Sequence, residues 1–463
     1  MRRLESLKRV CVLWLSLAGL LLETAVYAYI WFQNYYPIVN RFNLGLKFFF
    51  KGHLLIIAIY FVLLFFFTST YGGLKIGYLK PGDVFLSQLV SLCIVDVITY
   101  FQISLMSNRL VPVVYFAQAL VLQLLISGIW TAFCNRVYRR VFPPREMLLV
   151  HGHRSIEDIL RKFESRRDKY RITKCVNIKE GIWKIQEEID SGFHAVVLWD
   201  ISTEDRNKLL KYCYSRSVRV YMMPKIPDVL IAGADQLHLF DTPIFLTREY
   251  ALTVEQHMAK RMIDLVLSLV LTILTSPIML ITAICIKCYD GGPILYKQTR
   301  CTCGGREFRI MKFRSMKVDA EKDGVARLAS RNDSRITPIG KFIRMVRIDE
   351  LPQLFNILIG DMSFIGPRPE RPEIIAQYVE QMPEFVFRMK VKAGLAGYAQ
   401  VYGKYNTTPY DKLKLDLSYI ENYSLWLDLK LMLLTLKILI KPESTEGVDS
   451  NQTTAMKNGE DRK

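Results

Sequence analysis

The chain has 463 residues, enough for two or three domains, and its size alone demands no partner to complete a core. Hydrophobic residues make up 51%, the mean hydropathy is +0.16 and the formal net charge is +18. Such a basic excess suits nucleic acid, anionic lipid headgroups or phosphorylated substrates, but no basic stretch carries a zinc-finger or RNA-recognition signature, so no nucleic-acid partner is expected.

Residues 1–10 carry Arg2, Arg3, Lys8 and Arg9, and an apolar run follows from Val10 to about Phe32. It lacks a small-residue cleavage site and further runs follow it, so it reads as a retained span and not a signal peptide. Runs over about 53–70, 84–106 and 111–134 each approach the ~20 apolar residues that a membrane-crossing helix needs. An N-terminus in the cytoplasm puts Lys75, Lys80, Arg136, Arg139, Arg140 and Arg145 there too, and leaves Arg41, Lys47, Lys51 and Arg109 outside. Asp96 reads as the single acid inside a span, with no role assigned to it.

The composition changes near Phe142. A strand at Met147–Val150, a helix at 156–164, a strand at 170–176, a helix at 182–190, a strand at 195–199, a helix at 203–215 and a strand at 218–222 alternate along the sequence. That alternation predicts a parallel sheet in a Rossmann-like α/β domain. Gly152 is the only glycine of its first strand-to-helix turn, so the G-x-G-x-x-G dinucleotide fingerprint is missing and no bound nucleotide is implied.

A second membrane segment runs from Met262 to Ile286. Ser276-Pro277 interrupts it where proline removes a backbone hydrogen bond, and Lys260, Arg261 and Lys287 flank it on both sides. A broken helix that dips into the bilayer and returns reconciles the two features. Beyond it Tyr296–Arg300 and Phe308–Met316 are expected to put Arg300, Lys312 and Arg314 close together. Residues 317–336 mix charges with Ser and Gly and read as a mobile loop. Gly394 and Gly397 are expected to let backbone approach a ligand closely. From Tyr423 to Ile440 an apolar helix with Lys430, Lys437 and Lys441 on one face suits the membrane interface, and the polar tail from Pro442 reads as disordered. The nine cysteines are scattered; only Cys301 and Cys303 lie close, with no second pair or His cluster to complete a zinc site, so they read as reduced thiols.

The stretch Arg344-Met-Val-Arg-Ile-Asp-Glu-Leu-Pro-Gln-Leu-Phe-Asn356 carries the chemistry. Asp349 and Glu350 stand side by side after Arg344 and Arg347, and Pro352 marks a helix start. Taken alone, this suits either a phosphate-handling site or a capped surface helix with ordinary ion pairs.

Several motifs, in this order, resemble the bacterial sugar transferases, the monotopic phosphoglycosyl transferases. They are Lys260–Asp264, Ser276-Pro277, Gly292–Arg300, Lys312–Met316, Asp349–Asn356, Gly360–Ser363, Gly366–Pro369 and Gly394–Val401. The upstream part matches only the architecture of the larger members, which initiate capsule, exopolysaccharide or O-antigen synthesis. Ala396, Lys404 and Cys301-Thr-Cys303 depart from common family residues; the acidic pair is intact.

The resemblance implies an undecaprenyl-phosphate hexose phosphotransferase with a UDP-sugar donor, a polyprenyl phosphate acceptor and Mg²⁺. Asp349 would attack the sugar-bearing phosphate, expel UMP and hold a phosphosugar intermediate. Glu350, with Asp349, would contact Mg²⁺. Arg344 would hold the transferring phosphate, and Arg368, Lys312, Arg314 and Arg300, with Gln353 and Gln400, would bind substrate. Because the donor is cytoplasmic, the catalytic block belongs on the cytoplasmic face of the cell membrane, behind a re-entrant hairpin at Ser276-Pro277. The expected organisation is four transmembrane helices (1–140), the α/β domain (141–248), an α+β catalytic domain with the membrane hairpin (249–445) and a disordered tail (446–463); a homodimer is also expected. A membrane scaffold that only binds lipid phosphate, and a glycosyltransferase releasing UDP, are the competing readings.

Overall fold

The computed structural model describes residues 2–42, 50–152, 154–239, 241–247, 249, 251–318, 335–403 and 407–439. The tail 446–463, Lys404, Lys441 and most of the expected loop at 317–336 lie outside these. The chain divides into two compact units, Met1–Met223 and Pro224–Lys463.

The first unit begins with α1 (Arg2–Ile30), a π-helical turn at Trp31–Tyr35, α2 (Tyr36–Phe42), α3 (Phe50–Tyr71), α4 (Pro81–Met106) and α5 (Val114–Val141). Four of its helical segments, Leu7–Arg41, Lys51–Tyr71, Pro81–Met106 and Val114–Val141, are long and apolar enough to cross a membrane. They pack around Leu20, Tyr27, Tyr60, Leu92 and Ala119. Lys8 lies over the rings of Tyr138 and Phe142, so the chain start and the end of α5 share one end of the bundle. Asp96 is not the only acid inside: Glu23, on the apolar run of α1, is 2% exposed. The sequence reading passed over it because one charge barely lowers the hydropathy of so long a run.

A four-stranded parallel sheet follows, with β1 (Arg145–His151), α6 (Glu157–Glu164), β2 (Tyr170–Asn177), α7 (Ile182–Asp190), β3 (Ala195–Trp199), α8 (Thr203–Ser215) and β4 (Arg219–Met222). Met147–Val150 are wholly buried because helices cover both faces: α6 on one, α7 and α8 on the other. The strand order is β2-β1-β3-β4, which is the flavodoxin-like form of the doubly wound sheet, differing from the 3-2-1-4 order of the Rossmann arrangement. Gly152 follows β1 because a Cβ there would lie 1.8 Å from the Asp200 carbonyl oxygen; the two strand-end turns touch directly. Arg166 donates to the carbonyl oxygens of Gly77 and Tyr78, and Lys169 covers the Tyr78 ring, so the α3–α4 loop meets this domain.

The second unit comprises α9 (Ile226–Ala232), β5 (Asp235–Leu239), β6 (Thr242–Leu246), α10 (Val254–Asp290), β7 (Leu295–Cys301), β8 (Glu307–Phe313), α11 (Pro338–Met345), α12 (Gln353–Ile359), β9 (Met362–Ile365), α13 (Pro372–Gln381), β10 (Ala393–Ala396), α14 (Tyr398–Tyr402), α15 (Pro409–Glu421) and α16 (Leu425–Leu439). Ile226 and Val229 of α9 share a core with Leu413 and Leu417 of α15.

Two further expectations are corrected. The segment around Pro277 is helical throughout, since α10 runs unbroken for 37 residues. Pro277 cannot donate to the carbonyl of Ile273, and the Ser276 hydroxyl does so instead at 2.8 Å. In α16, Lys437 does not share an exposed face; it is buried with Asp428, Leu431 and Leu434.

Both halves of α10 pack within this unit. In the first half Lys260 Nζ meets Asp428 and Tyr419 Oη (2.5 and 3.2 Å), Arg261 donates to the carbonyls of Ile357 and Leu358, and Asp264 accepts from Ser363 Oγ and Phe364 N–H at 3.0 Å. In the second half Met279 and Ile286 pack with Phe313 and Ile343. Val266, Leu269, Ile273, Leu274, Leu280 and Ile281 are exposed, an apolar stripe that water does not favour.

Candidate active site

The acidic pair occupies a 3₁₀ turn, Ile348–Glu350, and Pro352 then caps α12. Arg347, just before it, has a φ of 60°. A side chain reaches that left-handed region only against steric resistance, and such strain gathers at functional sites.

Asn356 fixes α12 in place. Its Oδ1 accepts from the Met311 N–H and its Nδ2 donates to the Arg309 carbonyl, both at 2.9 Å. A two-way clamp on the β8 backbone sets the next residue, Lys312, beside the pair: its Nζ donates to Glu350 Oε1 at 2.7 Å. Arg368 reaches the same oxygen at 3.8 Å.

The two carboxyls are driven apart. Asp349 is 9% exposed, and its Oδ1 has no hydrogen-bond partner among the described residues. Burial and then the neighbouring Glu350 charge push it up to about 6, against the opposing fields of Lys312, Arg344 and Arg347. Burial would also raise Glu350, but Lys312 and Arg368 outweigh it and hold it down at about 2. Glu350 is thus held toward its charged form and Asp349 pushed toward its neutral one, the separation expected of a working pair.

The segment Gly366–Glu370, which carries Arg368, is clamped from behind. Arg388 donates to the Arg368 carbonyl at 3.0 Å and pairs with Asp416 at 2.8 Å; Arg300 donates to the Pro369 carbonyl at 3.2 Å. The segment starts where β9 and β10 end together: a Cβ on Gly394 would lie 2.1 Å from Gly366 N. The glycines thus admit another stretch of backbone, not a ligand. Replacing Arg388 by Met leaves Asp416, 1% exposed, without its partner. A loss of about 3–5 kcal/mol in denaturant unfolding is the expected result.

The structure brings Asp349, Glu350, Lys312, Arg344 and Arg368 together. Gln353, on the first turn of α12, is 3% exposed, and its Nε2 lacks an acceptor among the described residues. Gln400 Oε1 likewise lacks a donor; it lies by Gly397, next to the Gly366 carbonyl. Two of the expected substrate residues have protein partners of their own. Arg300 pairs with Phe308 in the β7–β8 ladder, four residues or about 13 Å along the strand from Lys312, and its guanidinium donates to the Pro369 carbonyl beside Arg368. Arg314 is held by Asp290 at the end of α10. Asn356 closes the Asp349–Asn356 motif, but Arg388 and Asp416 lie in no motif; a buried ion pair 28 positions apart leaves no local pattern.

Among the described residues no group of three or more His, Cys, Asp or Glu side chains could hold a metal ion unaided. Mg²⁺ asks less of the protein when substrate phosphates fill its shell. Two adjacent carboxylates, one with an orphaned buried oxygen, fit that role.

A family model described as bacterial sugar transferase matches residues 255–442. The chain is 36% identical over 276 residues to a UDP-N-acetylgalactosamine-undecaprenyl-phosphate N-acetylgalactosaminephosphotransferase of Aeromonas hydrophila, covering 56% of this chain and 62% of that one. It is 37% identical over 208 residues to a UDP-glucose:undecaprenyl-phosphate glucose-1-phosphate transferase of Escherichia coli K12, covering 44% and 43%. A Caulobacter vibrioides protein of the latter description is 40% identical over 190 residues, 40% of this chain and 71% of its own. The matched stretch thus spans about half the length of the first two relatives.

Proposed function

The chain belongs to the bacterial sugar transferase family, and on that premise we propose that it transfers a sugar-1-phosphate from a UDP-sugar to undecaprenyl phosphate, with Asp349 as covalent nucleophile. The observation that carries this reading is the Asp349 carboxyl, buried, with one oxygen that has no partner among the described residues, beside a Glu350 neutralised by Lys312 and Arg368.

In the first step an Asp349 oxygen bonds to the sugar-bearing phosphorus as that phosphorus loses its bond to the bridging oxygen, which leaves with UMP. In the second, an oxygen of the lipid phosphate bonds to the same phosphorus and the carboxylate is released. Gln353 Nε2 would donate to a phosphoryl oxygen, and Arg344 and Arg368 would balance the charge gathering there. Lys312 keeps Glu350 from repelling the donor. Mg²⁺, held by Glu350 and Asp349 with the diphosphate oxygens, would draw charge off the leaving UMP.

We further propose that α10 enters one leaflet and returns without crossing. A straight helix of 37 residues would be about 55 Å long. Yet both of its halves pack on one compact unit and its middle is an exposed apolar stripe. Entry and return on the cytoplasmic face would keep Asp349 at headgroup depth, where a soluble donor meets a lipid phosphate.

Membranes carrying the chain, given a panel of UDP-sugars and undecaprenyl phosphate, should release UMP; UDP as the product would sink the proposal. Since Asp349 must be ionised to attack and its carboxyl sits at about 6, kcat/KM should fall roughly tenfold per pH unit below that point. A flat profile down to pH 5 would count against Asp349 as the titrating nucleophile.

A further inference from the structure

The polar interior of the four-helix bundle takes no part in the reaction above. Asp96 of α4 and Glu23 of α1 are 6% and 2% exposed. Tyr60 of α3 donates to Asp96 Oδ1 at 2.9 Å and accepts from Gln123 Nε2 of α5 at 2.8 Å. The same amide nitrogen donates to the Glu23 carbonyl at 3.0 Å. One connected chain of polar groups, ending at the Glu23 backbone carbonyl, therefore joins four helices in the bundle interior.

That chain is short of hydrogen atoms. Glu23 Oε2, Asp96 Oδ2, Gln123 Oε1 and the Tyr27 and Thr99 hydroxyls have no partner among the described residues. Gln123 is 0% exposed, and Tyr27 and Thr99 are 1% exposed, so bulk water does not serve them. Three of the five atoms can only accept when the carboxyls are ionised, and two hydroxyls cannot satisfy them all. Charge is missing as well. Glu23 interacts with the Ser127 hydroxyl and with Asp96, and Asp96 with the Tyr60 hydroxyl; none of these partners is basic. Two carboxylates without a counter-charge are strongly disfavoured inside a bilayer. Oxygen acceptors without a basic side chain repel phosphate and attract a small cation.

We propose that Glu23, Asp96 and Gln123 form a binding site for an exchangeable small cation, a proton or a monovalent metal ion such as Na⁺, whose occupancy tightens the four-helix bundle. The site is independent of the transfer reaction.

The test is thermal melting of the full chain in lipid nanodiscs at constant ionic strength. Na⁺ would be exchanged for choline at fixed pH, and pH varied in choline in an Asp349→Asn background, so that the titration of that carboxyl does not contribute. The melting temperature should rise saturably, by roughly 5 °C for occupancy far above Kd. A response to Na⁺ identifies a metal ion; a rise with falling pH alone identifies a proton. Asp96→Asn and Glu23→Gln should each remove the response. Melting that ignores both, or a response that survives in both variants, overturns the site. Should either variant fail to fold, the wild-type infrared carboxyl band decides: it should change as cation is exchanged, and a band that stays fixed is contrary to the proposal.

Discussion

Asp349→Asn should abolish phosphosugar transfer while leaving the fold at least as stable as before. Loss of a covalent nucleophile removes roughly 10⁴-fold or more of the rate. Stability should move the other way. The Asp349 carboxyl lies above its ordinary range, at about 6, because burial and Glu350 both disfavour its charge. A group raised in this way binds its proton more tightly folded than unfolded, so the native state loses stability as pH climbs through 6. Asparagine keeps the shape and carries no charge, so the variant should melt at the same temperature or higher at pH 8. Dead and stable together mark a reacting group; dead and unfolded would mean that Asp349 holds the structure.

Lys312→Met should cut activity at pH 7 by about 10²–10³-fold and move the acidic limb of the pH profile upward. The 2.7 Å contact with Glu350 is lost, and so is the field that lowers Asp349. Two buried carboxylates facing only Arg344, Arg347 and Arg368 would take up a proton at a higher pH and titrate as a pair. Part of the lost rate should therefore return toward pH 8.5, and Lys312→Arg should keep more of it. An unmoved pH profile would show that Lys312 does not govern the pair.

What the sequence revealed follows the range of the forces involved. Periodicity placed the helices and strands of the α/β domain almost residue by residue, because β1 and β3 are apolar runs buried on both faces. The acidic pair was legible from its motif, and Lys312 with it. The partners of Arg300 and Arg314 were not legible, because a basic residue in a string has no direction until the β7–β8 register sets it. The helical continuity of α10 hid behind proline's reputation; the Ser276 hydroxyl on the Ile273 carbonyl shows how the acceptor freed by Pro277 is satisfied. The Arg388–Asp416 pair, and the burial of Glu23 in the same bundle as Asp96, join distant segments that no window of sequence contains. The flavodoxin-like strand order was equally out of reach, since a βαβ pattern does not say on which side of β1 the third strand falls.

The covalent step can be tested by mass spectrometry of the intact chain, incubated with a UDP-sugar but no lipid acceptor. The account predicts one equivalent of UMP, a mass gain of one hexose phosphate on the peptide containing Asp349, and loss of that gain when undecaprenyl phosphate is added. Lipid product formed at full rate with UDP released, and Asp349 never modified, would contradict it.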